Sequence, residues 1–190
     1  MAKATIVREQ RRNLSERKSF TDPAGIAIVK AAEEHGVTLR LMGGLAVALH
    51  CHLLHSEHMR SYHDIDLFGL SKEYKGIHLV LEKMGYSPKK EFNDLRGTER
   101  LMFFDKDNCD IDVFIDKFRM NHVIDFRERL HLDSLTIPLT DLFLTKVQNT
   151  KLAAKDVTDT IALLEDHALG YADDQEVLNL SYIAELCSDD

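Results

Sequence analysis

Apolar and polar residues alternate along this chain with two different periods, and the change of period predicts strands separated by helices. Short apolar runs predict strands at residues 39–42, 63–68, 101–104 and 111–115. Apolar positions three or four apart predict helices between them, from Pro23 to a stop at Gly36, over residues 45–55, and over residues 74–84. This half of the chain therefore has the pattern of an α/β fold.

After Pro138 the pattern is helical throughout. Three further helices are predicted from apolar positions at Leu142, Leu144 and Val147, at Val157, Ile161 and Leu164, and at Val177, Leu180, Ile183 and Leu186. Strands alternating with helices, followed by helices alone, predict an α/β (α+β) protein with a mixed sheet flanked by helices. We expect a basic arm or helix at residues 1–20, a core at 21–135, and a helical C-terminal segment at 136–190 packed on that core.

Composition places the chain among ordinary globular proteins. Its 190 residues can bury a full-sized core, and 44% hydrophobic with 29% charged residues is a usual balance. Apolar runs long enough to cross a bilayer are missing from the sequence, and the charged N-terminus does not resemble a secretory signal. Three scattered cysteines fit neither a disulfide framework nor a zinc site, which favours a cytoplasmic location.

Charge is distributed unevenly along the sequence. The chain carries a net charge of −8, but the first twenty residues contain six basic and two acidic side chains, so the remainder carries −12. A basic arm of this kind is typical of segments that contact RNA or an acidic partner. A solvated terminal helix has the same composition and is the commoner explanation.

Two acidic pairs, Asp64-Ile65-Asp66 and Asp110-Ile111-Asp112, lie in predicted strands. Residues two apart in a strand point to the same face, so each pair presents two carboxylates on one side and an apolar residue on the other. Neighbouring carboxylates repel and raise each other's pKa unless a cation neutralises them. Such a cluster favours a hard divalent cation such as Mg²⁺.

A glycine pair, Gly43-Gly44, lies between a predicted strand and a predicted helix, upstream of both acidic pairs. Glycine lets the backbone approach a phosphate closely, and the following helix N-terminus supplies N–H donors. Each feature is common by itself, since glycines also relieve crowding in turns and acidic residues also lie on solvated strand faces. Their order in the chain is the more specific signal.

In this order the residues resemble the nucleotidyltransferases of the DNA polymerase β superfamily. The signature of that superfamily is a glycine pair, an acidic–apolar–acidic strand and a third acidic strand residue, and Asp112 stands at the third place. The resemblance covers about residues 25–167 and extends to small bacterial members related to the abortive-infection toxin nucleotidyltransferases. Supporting stretches are Arg60, Phe92-Asn93, Gly97, Arg100-Leu101, Asp112-Val113-Phe114, residues 142–146, and Lys155-Asp156 with Asp159.

The resemblance implies a nucleotidyltransferase-like fold and a metal-dependent reaction on a nucleoside triphosphate. Asp64 and Asp66 would hold two Mg²⁺ ions, and Asp112 would share the second and help deprotonate an acceptor hydroxyl. The Gly43-Gly44 turn would hold the β- and γ-phosphates, and pyrophosphate would leave. Gly44 stands where many members carry a serine whose hydroxyl meets phosphate.

Other charged residues are weaker candidates. Asp110 shares a strand face with Asp112 and competes for the role of third carboxylate, although the resemblance favours Asp112. Arg60 and Lys146 are candidate phosphate contacts, with a surface or structural charge as the alternative for each. Lys155, Asp156 and Asp159 lie at helical spacing, which fits either a solvated helix face or part of an acceptor site.

Three functions are compatible with these residues. The first is transfer of a nucleoside monophosphate to a hydroxyl on RNA, protein or a small molecule. The second is a nucleotide- or metal-binding module without catalysis, for example one half of a toxin–antitoxin pair. The third is hydrolysis of a phosphodiester with the same metals. The acidic set favours the first, because a module that only binds has no need of a third carboxylate.

Overall fold

A computed structural model describes residues 23–51, 64–106, 109–148, 151 and 153–188. Its α-helices are α1 (Pro23–Glu34), α2 (Gly43–His50), α3 (Tyr74–Lys83), α4 (Lys90–Arg96), α5 (Leu139–Val147), α6 (Ala154–Asp166) and α7 (Leu180–Ser188). Its strands are β1 (Leu39–Leu41), β2 (Asp64–Gly69), β3 (Ser87–Pro88), β4 (Arg100–Phe104), β5 (Asp110–Ile115), β6 (Lys117–Arg119), β7 (Val123–Asp125), β8 (Ala168–Gly170) and β9 (Val177–Asn179). The basic arm at residues 1–20, and Arg60, lie outside the described residues.

Five strands form one sheet in the order β1-β2-β5-β4-β3. The two central strands, β2 and β5, are parallel, whereas the pairs β1–β2, β5–β4 and β4–β3 are antiparallel. The sheet is therefore mixed, and helices flank it. This arrangement confirms the predicted fold class.

The hydrophobic core is formed by the apolar residues of the central strands and of the helices that cover them. Leu67 and Phe68 of β2 and Val113 of β5 are fully buried, and helices α1, α2 and α3 cover the sheet with buried apolar residues. Helix α1 begins at Pro23 as predicted, and Gly36 follows its end with a φ of +68°, a left-handed conformation that favours glycine. Leu142 and Leu163 of the C-terminal segment belong to the same apolar cluster. Residues on both sides of position 135 share one core, so the predicted boundary between the core region 21–135 and the C-terminal segment 136–190 stays a prediction.

Several predicted boundaries and faces are wrong. Helix α2 ends at His50, because Cys51 already has extended backbone angles. The predicted helical residues 52–55 lie outside the described residues. The C-terminal segment is not purely helical: Val177 lies in β9, which pairs in parallel with β8, and α7 begins only at Leu180. In α6 the apolar stripe Val157, Ile161 and Leu164 is exposed, whereas Asp159, Ala162 and Leu163 are buried. The sequence pattern thus predicted the helix correctly but not which of its sides packs against the rest of the protein.

An ion-pair network joins the C-terminal elements to the core. Asp141 of α5 is completely buried and accepts hydrogen bonds from Arg129 Nε (2.8 Å) and from the Tyr182 hydroxyl of α7 (3.0 Å). The Arg129 guanidinium also bonds Asp173 at 3.0 Å and lies 3.6 Å from the centre of the Tyr182 ring. Burial raises the pKa of Asp141 to about 6, against the opposite effect of Arg129 and the Tyr182 hydrogen bond. The carboxylate therefore depends on these donors to stay charged inside the protein.

Replacing Arg129 with methionine is expected to destabilise the fold. The substitution keeps most of the side-chain volume but leaves the buried Asp141 carboxylate without its cation, a loss of about 3–5 kcal/mol in the free energy of unfolding. Urea unfolding followed by circular dichroism measures it. The matched control is R127M, which removes an exposed arginine that pairs with Asp125 at the surface. An R129M unfolding midpoint equal to that of R127M would contradict the structural role.

None of the helices within the described ranges is long and apolar enough to cross a membrane.

Candidate active site

The register of the two parallel strands brings the acidic pairs together. Asp64 of β2 lies opposite Asp110 of β5, and Asp66 lies opposite Asp112. Partners in register on neighbouring strands project to the same side of a sheet, so these carboxylates share one face. Ile65 and Ile111, between them in sequence, are fully buried on the other face. The i, i+2 spacing in each strand thus produces one acidic patch at the start of β2 and β5.

Asp66 is the carboxylate most strongly affected by its surroundings. Burial, and then the negative charge of Asp112, raise the pKa of Asp66 to about 6, and Asp64 adds a smaller effect in the same direction. Lys146 and Arg100 act in the opposite direction without cancelling the rise. Asp66 is therefore a carboxylate whose negative charge the neighbouring cations do not fully compensate.

The glycine pair lies directly against this carboxylate. Gly43 has a φ of +68°, and a Cβ at this position would overlap the carboxylate of Asp66. The backbone N–H of Met42 donates to the carbonyl of Asp66 at 2.9 Å, which fixes the turn beside the strand. Both the backbone conformation and the contact with Asp66 require glycine at residue 43. Gly44 lies in the first turn of α2, where N–H groups have no partner within the helix.

Asp112 is paired with Arg100, a residue to which the sequence pattern assigned no role. The Asp112 carboxylate accepts hydrogen bonds from Arg100 Nε at 2.9 Å and from Arg100 Nη2 at 2.6 Å. Only 7% of Asp112 is exposed. The sequence offered one signal for this pairing, a basic residue at the start of the predicted strand that precedes the strand of Asp112. The register of the two strands is needed to deduce the pairing from it.

Asp110 and Asp112 differ in their surroundings. Asp110 forms an ion pair with Lys89 at 2.7 Å, and both side chains are about one-third exposed. Asp112 instead is buried beside Asp66. Of the two carboxylates, Asp112 is thus the one in register with Asp66. Its role as the third acidic residue of the site stays a prediction.

Lys146 of α5 is buried next to the same patch. Its Nζ lies 2.8 Å from Asp159 and 3.4 Å from Asp156, both on α6, and only 8% of the residue is exposed. Asp159 is 1% exposed, so it is not part of a solvated helix face, whereas Lys155 is exposed. The ion pairs join α5 to α6 and hold one ammonium group near Asp66.

The carboxylates suit a hard cation by their chemistry, but their arrangement matches the predicted metal set only in part. Asp64 and Asp66 lie on one face, and the charge on Asp66 calls for a neutralising cation. Each oxygen of Asp112 accepts one hydrogen bond from Arg100. Across the described ranges, no three acidic, histidine or cysteine side chains are grouped so that they could hold one metal ion together. Asp64 and Asp66 could hold a divalent cation by their chemistry, while Asp112 is shared with an arginine.

No protein-family model and no curated protein matches the sequence. The lincosamide antibiotic adenylyltransferase LnuA, solved with lincomycin bound, superposes with a TM-score of 0.50 at 15% identity, covering 77% of this chain and 98% of that chain.

Two structures of the antibiotic-resistance factor ANT(2")-Ia give lower scores. The solution structure has a TM-score of 0.47 at 12% identity, covering 73% of this chain and 79% of its own. The crystal structure with adenylyl-2"-tobramycin has a TM-score of 0.49 at 14% identity, covering 85% and 91%. The similarity to LnuA, together with the mixed sheet, shows that this chain has a nucleotidyltransferase-like fold.

Proposed function

We propose that this protein is a metal-dependent nucleotidyltransferase that moves a nucleoside monophosphate from a nucleoside triphosphate to a hydroxyl acceptor. The observation that supports it best is the pairing of Asp66 with Asp112 beside the left-handed turn at Gly43. On a nucleotidyltransferase-like fold, this combination offers carboxylates for a cation next to a backbone that phosphate can approach closely.

Each residue of the proposed site has a distinct task. Asp64 and Asp66 would hold two Mg²⁺ ions, the second of them shared with Asp112, which when bound supply positive charge to the phosphate oxygens. The Gly43-Gly44 turn would receive the β- and γ-phosphates on its N–H groups. Lys146 would add a positive charge near the phosphates, with Asp156 and Asp159 keeping its side chain in place. Arg60 stays a further candidate phosphate contact.

The transfer itself is a substitution at the α-phosphorus. The acceptor oxygen forms a bond to that phosphorus, the bond from the α-phosphorus to the bridging oxygen breaks, and pyrophosphate leaves with its electrons. Asp112, the carboxylate beside Asp66, would take the proton of the acceptor hydroxyl. Positioning and charge neutralisation then supply most of the rate enhancement.

The acceptor is proposed only as a hydroxyl on RNA, protein or a small molecule. LnuA is a lincosamide adenylyltransferase, but a fold similarity at 15% identity does not transfer its acceptor to this chain. The kinship to toxin nucleotidyltransferases and the contribution of the basic arm to RNA binding stay predictions from the sequence.

A second candidate is a nucleotide- or metal-binding module without catalysis. The observation that favours it is the bidentate bond between Arg100 and Asp112, because a carboxylate neutralised by arginine is a weaker base and a weaker metal ligand. In this case the protein binds nucleotide but transfers nothing.

Radiolabelled triphosphates distinguish these candidates. We expect label from an α-³²P triphosphate to pass to a component of a cell extract, with release of pyrophosphate, and to stop when EDTA removes the metal. The variant D64N is expected to lose on the order of 10³-fold in rate, since it removes one proposed metal ligand. Binding of the nucleotide without transfer would overturn the enzyme proposal in favour of the module. Free nucleoside monophosphate with no adduct would instead indicate a hydrolase.

A further inference from the structure

Arg100 is held at the acidic patch by two independent sets of contacts. In the antiparallel register of β4 and β5, Asp112 lies opposite Met102 and Phe114 lies opposite Arg100. The guanidinium therefore reaches diagonally across the strand pair to bond both oxygens of Asp112, at 2.9 and 2.6 Å. It also lies 5.1 Å from the centre of the Phe114 ring and 6.0 Å from that of Phe92. The aromatic contacts favour this position of the guanidinium even without the carboxylate.

The two cations near Asp66, Lys146 and Arg100, have different acidic partners. Lys146 has two acidic partners of its own on α6, Asp156 and Asp159. The hydrogen-bonded partner of Arg100 is Asp112, a member of the acidic patch itself. Arg100 thus neutralises part of the patch from within, whereas most of the Lys146 charge is compensated outside it.

A bidentate arginine and a divalent cation make opposing demands on one carboxylate. The guanidinium occupies lone pairs of both oxygens, so a metal ion that binds Asp112 must share them or displace the arginine. A fixed positive charge a few ångströms away also repels a second cation, and the partly buried position of the site reduces the screening of that repulsion. Both effects lower the affinity of Asp112 for a divalent cation.

We propose that Arg100 is a built-in counter-cation of the acidic patch, which competes with divalent metal for Asp112 and thereby lowers the affinity of the site for metal. This inference rests on the proposed function, because it concerns the metal site of the proposed transferase. Arg100 holds Asp112 in place and balances its charge until a divalent cation shares the carboxylate. Arg100 is accordingly a positioning residue that acts through Asp112.

Metal titration of purified protein without nucleotide tests the proposal. Mn²⁺ replaces Mg²⁺ as the probe, and the electron paramagnetic resonance signal of free Mn²⁺ gives the dissociation constant. Removing the fixed charge in R100Q is expected to tighten Mn²⁺ binding by about tenfold or more. R100K keeps the charge but cannot make the bidentate bond, so its affinity is expected to fall between those of R100Q and the wild type.

The matched control is R96Q. Arg96 is an exposed arginine that pairs with Glu99 at 4.0 Å, so R96Q changes the net charge equally without touching Asp112. The proposal requires R100Q to bind Mn²⁺ more tightly than R96Q, in samples whose circular dichroism shows both to be folded. Equal affinities, weaker binding by R100Q, or a patch that binds no Mn²⁺ in any variant would overturn it. The label-transfer assay then decides separately whether the proposed transferase function still holds.

If R100Q does not fold, the Mn²⁺ affinity of R100K is compared with that of the wild type instead. A higher Mn²⁺ affinity of R100K supports competition for the Asp112 oxygens, and an unchanged or lower affinity overturns it.

Discussion

The substitution D66N is expected to abolish nucleotide transfer while making the protein more stable. In the proposed reaction Asp66 holds the metal, so its loss is expected to lower the rate of transfer on the order of 10³-fold or more. In the absence of metal, however, burial and the neighbouring Asp112 raise the pKa of Asp66 to about 6, so the ionised form is unfavourable in the folded state. A neutral asparagine of the same shape removes that repulsion. We expect the free energy of unfolding at pH 7 in EDTA to rise by roughly 1–2 kcal/mol.

Opposite signs for activity and stability distinguish a functional carboxylate from a structural one. Transfer is measured with labelled triphosphate, and stability by urea unfolding in EDTA. D110N is the matched control, since it removes an acidic residue from the same sheet face whose partner, Lys89, is about one-third exposed. We expect D110N to leave both quantities nearly unchanged. A D66N protein that is clearly destabilised, or that transfers nucleotide within about tenfold of the wild-type rate, would contradict the role given to Asp66.

Gly43 is the second position at which a small change is expected to have a large effect. In G43A the new Cβ would overlap the Asp66 carboxylate, so that the carboxylate, the turn or both must move. The alanine must also adopt a φ of +68°, which costs about 1–2 kcal/mol for a residue with a Cβ. We expect transfer to fall at least about a hundredfold, because displacement of a catalytic group by an ångström is enough for a loss of that size.

G36A separates the strain of the backbone from the contact with Asp66. Gly36 has the same φ of +68°, but a Cβ there would meet no atom within 4 Å. Both variants carry the backbone strain, and only G43A disturbs the acidic patch. We therefore expect G36A to lose stability, with a lower midpoint in urea unfolding, and to keep its activity. Equal losses of activity in the two variants would show that the overlap with Asp66 is irrelevant to function.

The periodicity of the sequence predicted much of the fold, because burial of an amphipathic element depends mainly on its own residues. Helix α1, the strands β2 and β5 and the end of β1 at the glycine pair lie where the pattern placed them. The short helix α4 and the hairpin β6–β7 were not predicted, since neither is long enough to show a period. In α6 the pattern indicated the wrong side: Asp159 is buried in an ion pair with Lys146, beside the core residues Ala162 and Leu163, and the apolar stripe is exposed.

The candidate site was predictable only as far as local spacing reaches. The sequence alone determined that Asp64 and Asp66 point to the same side of their strand, and that Asp110 and Asp112 point to the same side of theirs. It also placed a glycine turn before both pairs. These relations follow from the geometry of single elements. Which strands become neighbours depends on long-range packing, so only the tertiary structure decided that β2 lies beside β5, with Asp66 next to Asp112. The same packing paired Arg100 with Asp112 and buried Lys146 against Asp159. Charges that are far apart in the sequence acquire their energies only when the fold brings them within a few ångströms and removes the water between them.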